Sequence, residues 1–89
     1  MNSWVIVIEQ QRAANYGKEI SVFLSPRLFA TQAEAREAIV HMAYFHRPEF
    51  PWQEQSRSVV QHDLDNFTVF VEGKASTSHF RLKIGKLFP

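Results

Sequence analysis

One stretch of this chain is written as helix more plainly than anything else in it, and it limits what the remainder can be. Thr31 stands three residues before Glu34, the spacing of a capping box. The threonine hydroxyl can accept the amide of Glu34, and the glutamate carboxylate can reach back to the amide of Thr31. Phe29 lies just outside, placed to pack back on the first turn. Ala33, Ala35, Ala38 and Ala43 favour the helical state. Pro48 cannot continue the backbone ladder and pushes Arg47 out of the helical region, so the spacing predicts a helix from Thr31 to about Arg47. Ala35, Ala38, Ile39, Met42 and Phe45 fall on one stripe, which should meet the core. Glu34, Arg36, Glu37 and His41 lie away from it. So do Val40 and Tyr44, four residues apart, which form an apolar pair on the outer face.

The flanking segments read as strands. In Trp4 to Ile8 both alternating sets are apolar, so this strand should be covered on both faces. The chain turns polar at Glu9, and residues 11–18 read as a hairpin loop in which Asn15 and Gly17 suit a turn. A second strand runs from about Glu19 to Ser25, with Ile20, Val22 and Leu24 on one side and Phe23 on the other; Pro26 ends it. After the helix, residues 48–55 form a loop with two prolines and two large aromatics, Phe50 and Trp52, which must fold back as a lid or meet a partner. A third strand spans about Arg57 to His62, followed by a turn over Asp63 to Asn66. The fourth, Phe67 to Glu72, puts Phe67, Val69 and Val71 on one face and Thr68 and Phe70 on the other. The fifth, Thr77 to Ile84, alternates Phe80, Leu82 and Ile84 inward with His79, Arg81 and Lys83 outward, and Gly85 closes it. Leu87, Phe88 and Pro89 make an apolar tail. The order β-β-α-β-β-β, with one strand fewer if the third fails, predicts an α+β fold: an antiparallel sheet of four or five strands with one helix packed on one face.

Eighty-nine residues make one domain, here 1–89, and eight Phe with two Trp supply much of its core. A domain this small is marginal on its own, and without cysteine it has no disulfide to help; oligomerisation is a common remedy. The absence of cysteine also removes thiol nucleophiles and thiolate metal sites. A formal net charge of +1 does not by itself imply a nucleic-acid or membrane partner. The apolar run Trp4 to Ile8 is too short for a signal peptide or a span. The expectation is a soluble cytoplasmic protein without a membrane partner. There are no internal repeats.

Chemistry is sparsely signalled. His41 and His46, five apart, project about 140° from one another on a helix and cannot share a metal. His62 and His79 lie on different strands. Among the carboxylates Glu9, Glu49, Glu54, Asp63, Asp65 and Glu72, the pair Asp63 and Asp65 is explained by a turn. No serine has nucleophile-elbow glycines around it, and the three glycines build no phosphate cradle. No catalytic residue, metal site or cofactor is assigned.

Two surfaces remain. Lys74, His79, Arg81, Lys83 and Lys86 cluster near the last hairpin, where Phe23 and Phe70 could stack bases. Basic outer faces on edge strands, however, also discourage unwanted strand pairing. Val5, Val7, Phe23 and Phe70, taken to point away from the helix, would form an apolar patch on the uncovered sheet face, and such patches mark interfaces. A partner, the Phe50–Trp52 loop or the Leu87–Pro89 tail could cover it. Val40 and Tyr44 offer a second, smaller contact on the helix. The leading expectation is a small non-enzymatic protein-binding domain, an inhibitor or regulatory adaptor acting as a homodimer, of the kind found among bacterial and phage accessory proteins. The alternative is a nucleic-acid binder using the basic face of the last hairpin. The third is a small enzyme with a histidine–carboxylate site.

Overall fold

Alternation of apolar side chains decides which face of each strand can meet the helix. A computed structural model of the chain describes residues 3–14, 17–48 and 53–89. Its elements are β1 (Ser3–Ala14), β2 (Gly17–Leu24), α1 (Gln32–Phe45), β3 (Glu54–Asp63), β4 (Asn66–Gly73) and β5 (Thr77–Leu87). The five strands form one antiparallel sheet in the order β2-β1-β5-β4-β3, and α1 packs across one face of it. This is the α+β architecture that the patterning predicts.

The first and last strands pair at the centre, and the two strands that flank the helix in sequence are the two edges. The connection through α1 therefore links the two edges, while α1 itself packs over β5, β1, β4 and β3 and leaves β2 outside its cover.

Beneath it lie Ile6 and Ile8 of β1, Phe67, Val69 and Val71 of β4, and Phe80 and Leu82 of β5, all buried against Ala35, Ile39 and Ala43. The two alanines let the helix backbone approach the sheet, and Ile39 fills the space between them. Trp4, Ala38, Met42, Val59 and Ile84 close the rim. Phe45 does not join this stripe: it is 68% exposed and stacks on His41 at 4.7 Å between ring centroids. The buried line runs along Ala35, Ile39 and Ala43, and Phe45 sits about 120° round from Ile39, outside an apolar stripe of that width.

The Glu34 amide donates to Thr31 Oγ1 at 3.2 Å, so the threonine half of the capping box forms; the reciprocal bond from the glutamate is not made. Phe29 is buried and locked to Trp4 by two 2.8 Å backbone bonds. The helix stops at Phe45, two residues short of the sequence-based boundary, because His46 is already extended.

The strands outrun their expected ends. β1 and β2 continue through the segment read as a loop, pairing to Ala14 opposite Gly17. Glu9 and Gln10 stay in the ladder because β1 has a partner on both sides. The turn between the strands, with Asn15, lies outside the described residues, as do Phe50 and Trp52. β3 begins at Glu54, and β5 passes through Gly85, opposite Val5, to Leu87. The hairpin register also corrects one placement. Phe23 pairs with Ile8, on the helix side, whereas Ile20, Val22 and Leu24 pair with Gln11, Glu9 and Val7 on the open side. Side chains alternate with period two, so the choice of register sends one whole set to each face.

Ile39→Ala should cost roughly 2–5 kcal/mol in chemical denaturation, through the cavity it leaves over Phe80 and Val69. Phe45→Ala should change stability by no more than about 0.5 kcal/mol, as surface substitutions do. The reverse ranking would mean that the helix presents another face to the sheet.

Candidate functional site

Polar chemistry collects at the two ends of the helix. At the first, the Asp65 carboxylate accepts from Arg36 Nε at 2.8 Å, from the other Arg36 fork nitrogen at 3.3 Å and from Gln32 Nε2 at 3.0 Å. The Arg36 bonds hold its pKa below the usual carboxylate range. Asp63 builds the turn: it accepts the Asp65 amide at 2.8 Å and Asn66 Nδ2 at 2.7 and 2.9 Å, and the Asn66 bonds chiefly lower its pKa too. The paired aspartates thus shape the β3–β4 turn and tie it to α1.

At the other end, the Arg57 side chain is 8% exposed. Its fork donates to the Ala43 carbonyl at 3.0 Å and the His46 carbonyl at 2.8 Å. It also grips Glu54 at 2.8 and 2.6 Å, which lowers the Glu54 pKa. The guanidinium lies 5.6 Å from the Phe80 ring centre. His46 meets the same ring edge-on at 5.0 Å, and its Nε2 is 2.7 Å from Gln10 Oε1. Burial, and then the Arg57 charge, push the His46 pKa below 6.5, so the imidazole is neutral at pH 7. A neutral ring with Nε2–H donating to Gln10 satisfies both groups. This cluster satisfies helix-end carbonyls and joins α1 to β3; its polar groups face one another.

The remaining histidines are apart. His41 is on the helix with Phe45, His62 Nε2 lies 2.8 Å from Thr68 Oγ1, and His79 stacks on Phe70 at 6.0 Å. Among the described residues no three His, Asp or Glu side chains converge as a metal site would require.

The uncovered sheet face is the larger feature. Across it run the rows Leu24, Val7, Lys83, Asn66 and Val22, Glu9, Arg81, Thr68, Val60. His79 and Phe70 pair beyond them. The four residues expected to form one apolar patch do not. Val5 is buried at 3% exposure opposite Gly85, Val7 is half-buried, Phe23 belongs to the helix side, and Phe70 is separated from Val7 by β5. The aliphatic surface lies instead on β2, where Ile20, Val22 and Leu24 are 58, 59 and 49% exposed. Their alternation is visible in the sequence, but not the face they take. Val40 and Tyr44 are exposed on the outer side of the helix, as expected.

The basic cluster also divides. His79, Arg81 and Lys83 share the open face along β5, the central strand, so edge protection does not account for them. Among the described residues no carboxylate forms an ion pair with Arg81 or Lys83. Lys86 is opposite Trp4, on the helix side, with Nζ 5.8 Å from that ring. Lys74 sits in the β4–β5 turn.

The two edges differ. β3 breaks register at both ends, between Glu54 and Ser56 and between Gln61 and Asp63. Such irregularities and charges blunt an edge. β2 runs eight residues in continuous register with β1. The Ser25 amide donates to the Ile6 carbonyl at 2.8 Å, and Ser25 Oγ accepts the Ile6 amide at 3.3 Å. That fixes the phase of the ladder. Ser25, Phe23, Ser21 and Glu19 direct their backbone groups to β1, and Leu24, Val22 and Ile20 direct theirs to the open edge. Against family models, curated proteins and solved structures, the chain shows no match. Among the described residues no helix is long and apolar enough to cross a membrane.

The polar cluster at the helix end yields a pH dependence. His46 titrates lower folded than unfolded, so the unfolded state binds more protons below pH 6.5, and stability falls as pH drops through that region. Asp63, Asp65 and Glu54, all lowered, hold stability that is lost in a separate, more acid window, below about pH 4. Melting temperature from pH 8 to 3 should fall in these two stages, and His46→Gln should remove the first alone. A first stage that survives in His46→Gln would contradict the assignment.

Proposed function

We propose that this chain is a small non-enzymatic protein-binding domain, an inhibitor or regulatory adaptor, that works by lending its β2 edge and the aliphatic row beside it to another polypeptide. One observation carries the reading: three branched side chains, each about half exposed or more, stand on an edge strand whose backbone groups at the same residues point outward. Strand addition uses both features together, the free ladder for affinity and alternate side chains for specificity. The polar clusters support a non-enzymatic role, since their hydrogen bonds join scaffold elements. A homodimer belongs to this reading, because a second copy is one such polypeptide.

A second reading rests on a different observation. Arg81 and Lys83 occupy the centre of the open face beside the Phe70–His79 stack, next to a shallow hollow of about 480 Å³ lined by Gln11, Phe70, Glu72, Thr77 and His79. An aromatic pair with adjacent cations suits a single-stranded nucleic acid. Glu9 and Glu72 on the same face oppose it.

The two separate cleanly. With the full-length protein as bait in an extract of its native host, an Ile20→Lys/Leu24→Lys variant should lose at least about tenfold of the protein bound by the wild type, the size of a 1.4 kcal/mol effect. Binding through an apolar edge should hardly change with salt. Recovery of the same proteins at the same level by wild type and variant would contradict the proposal. Under the second reading, Arg81→Glu abolishes binding to a labelled single-stranded oligonucleotide, and wild-type affinity falls steeply with salt.

A further inference from the structure

We infer that the polypeptide received by β2 is a second copy of β2, paired antiparallel about a two-fold axis at Val22. The inference rests on the protein-binding reading and names its partner.

Outward-pointing backbone groups occur at Ile20, Val22 and Leu24. In an antiparallel pair related by a two-fold axis normal to the sheet, a residue opposes itself at the centre, and opposed residues share a face. Centred on Val22, the pairing sets Val22 against Val22, and Ile20 against Leu24 in both directions. All three positions then meet with outward groups facing outward groups, which gives about six backbone hydrogen bonds. The open-face side chains at all three pairs are aliphatic, the combination that stabilises cross-strand contacts. On the helix side Ser21 meets Phe23, a residue 38% exposed at that edge. A centre one residue earlier, at Ser21, is also allowed by phase, but it sets Leu24 against Lys18 and breaks the aliphatic ladder.

The rest of the molecule agrees. The β3 edge carries two register breaks and the β2 edge has none, so a head-to-tail chain of sheets through both edges is disfavoured and a closed pair through β2 is the outcome. The area sets the strength. At roughly 100 Å² each, the three side chains offer at most on the order of 600 Å² over two copies, below the about 1,200–2,000 Å² of a standard stable interface. The pair is therefore reversible and concentration-dependent. It joins two sheets into one and leaves the face of Arg81 and Lys83 open on both copies.

The chain contains no cysteine, so a single introduced one reports register without background. Under mild oxidation Val22→Cys should give a covalent dimer, since facing Cα atoms about 5.5 Å apart are within disulfide reach. Ser21→Cys should not. Sedimentation equilibrium of the wild type should show mass rising from one chain toward two as concentration increases to about 500 μM, a range that detects weak pairs. Val22→Lys should remain one chain throughout, with an unchanged circular dichroism spectrum. Cross-linking of Ser21→Cys in place of Val22→Cys overturns the register. A wild type that stays one chain at the highest concentration overturns self-pairing. The protein-binding reading fails separately, if the Ile20→Lys/Leu24→Lys bait keeps the wild-type partners.

Discussion

Everything in this fold depends on the contact between Phe80 and the underside of the helix. Phe80 lies on the central strand, fully buried, and is touched from both chain directions. Ala35, Ile39 and Ala43 roof the core around it, His46 meets its ring edge, and Arg57 lies over its face. The alanines allow close approach, and dispersion and apolar burial reward it. Arg57 then satisfies two carbonyls at the end of the helix that the helix itself cannot, while Asp65 holds the other half of α1 to the β3–β4 turn. The helix is anchored at two points, both on the β3 side of the sheet.

Among the described residues the helix packs on one face of the sheet, and no second element packs on the other. That face is divided: aliphatic along β2, cationic at the centre along β5, aromatic at Phe70. Its edges are unequal as well, with register breaks on β3 and an uninterrupted ladder on β2. Of the two, the β2 edge is the one that an added strand could extend without a break in register. The polar clusters join helix to sheet, and the edge ladder of β2 with its aliphatic row is what the proposed contact would use.

Much of this could be read from the residues, for reasons that differ by element. The cap at Thr31 is a local pattern and forms where that pattern stands. β4 and β5 alternate cleanly between apolar and polar, so their inward faces are legible without a partner. β1 and β2 are not, because Val5 and Val7 are as apolar as Ile6 and Ile8, and Phe23 as apolar as Ile20, Val22 and Leu24. There the hairpin register decides, and it places Phe23 with the helix. Phe45 misled through its size, since Ala43, a smaller residue, takes the buried position. The tie between Arg57 and the helix was illegible for another reason: its targets there are main-chain carbonyls, which leave no mark in the sequence. The Asp65–Arg36 bond joins residues 29 apart and appears only once strand order is known.

If β2 pairs with itself, its outward backbone groups are free in one copy and engaged in two. Residue-resolved amide hydrogen exchange in dilute and concentrated solution tests it most directly. Ser21 and Phe23, bonded to β1, should exchange slowly at both concentrations. Ile20, Val22 and Leu24 should exchange fast when dilute and slow down as concentration rises. Protection of those three amides that does not change with concentration, or a protection pattern of the opposite parity, would contradict the account.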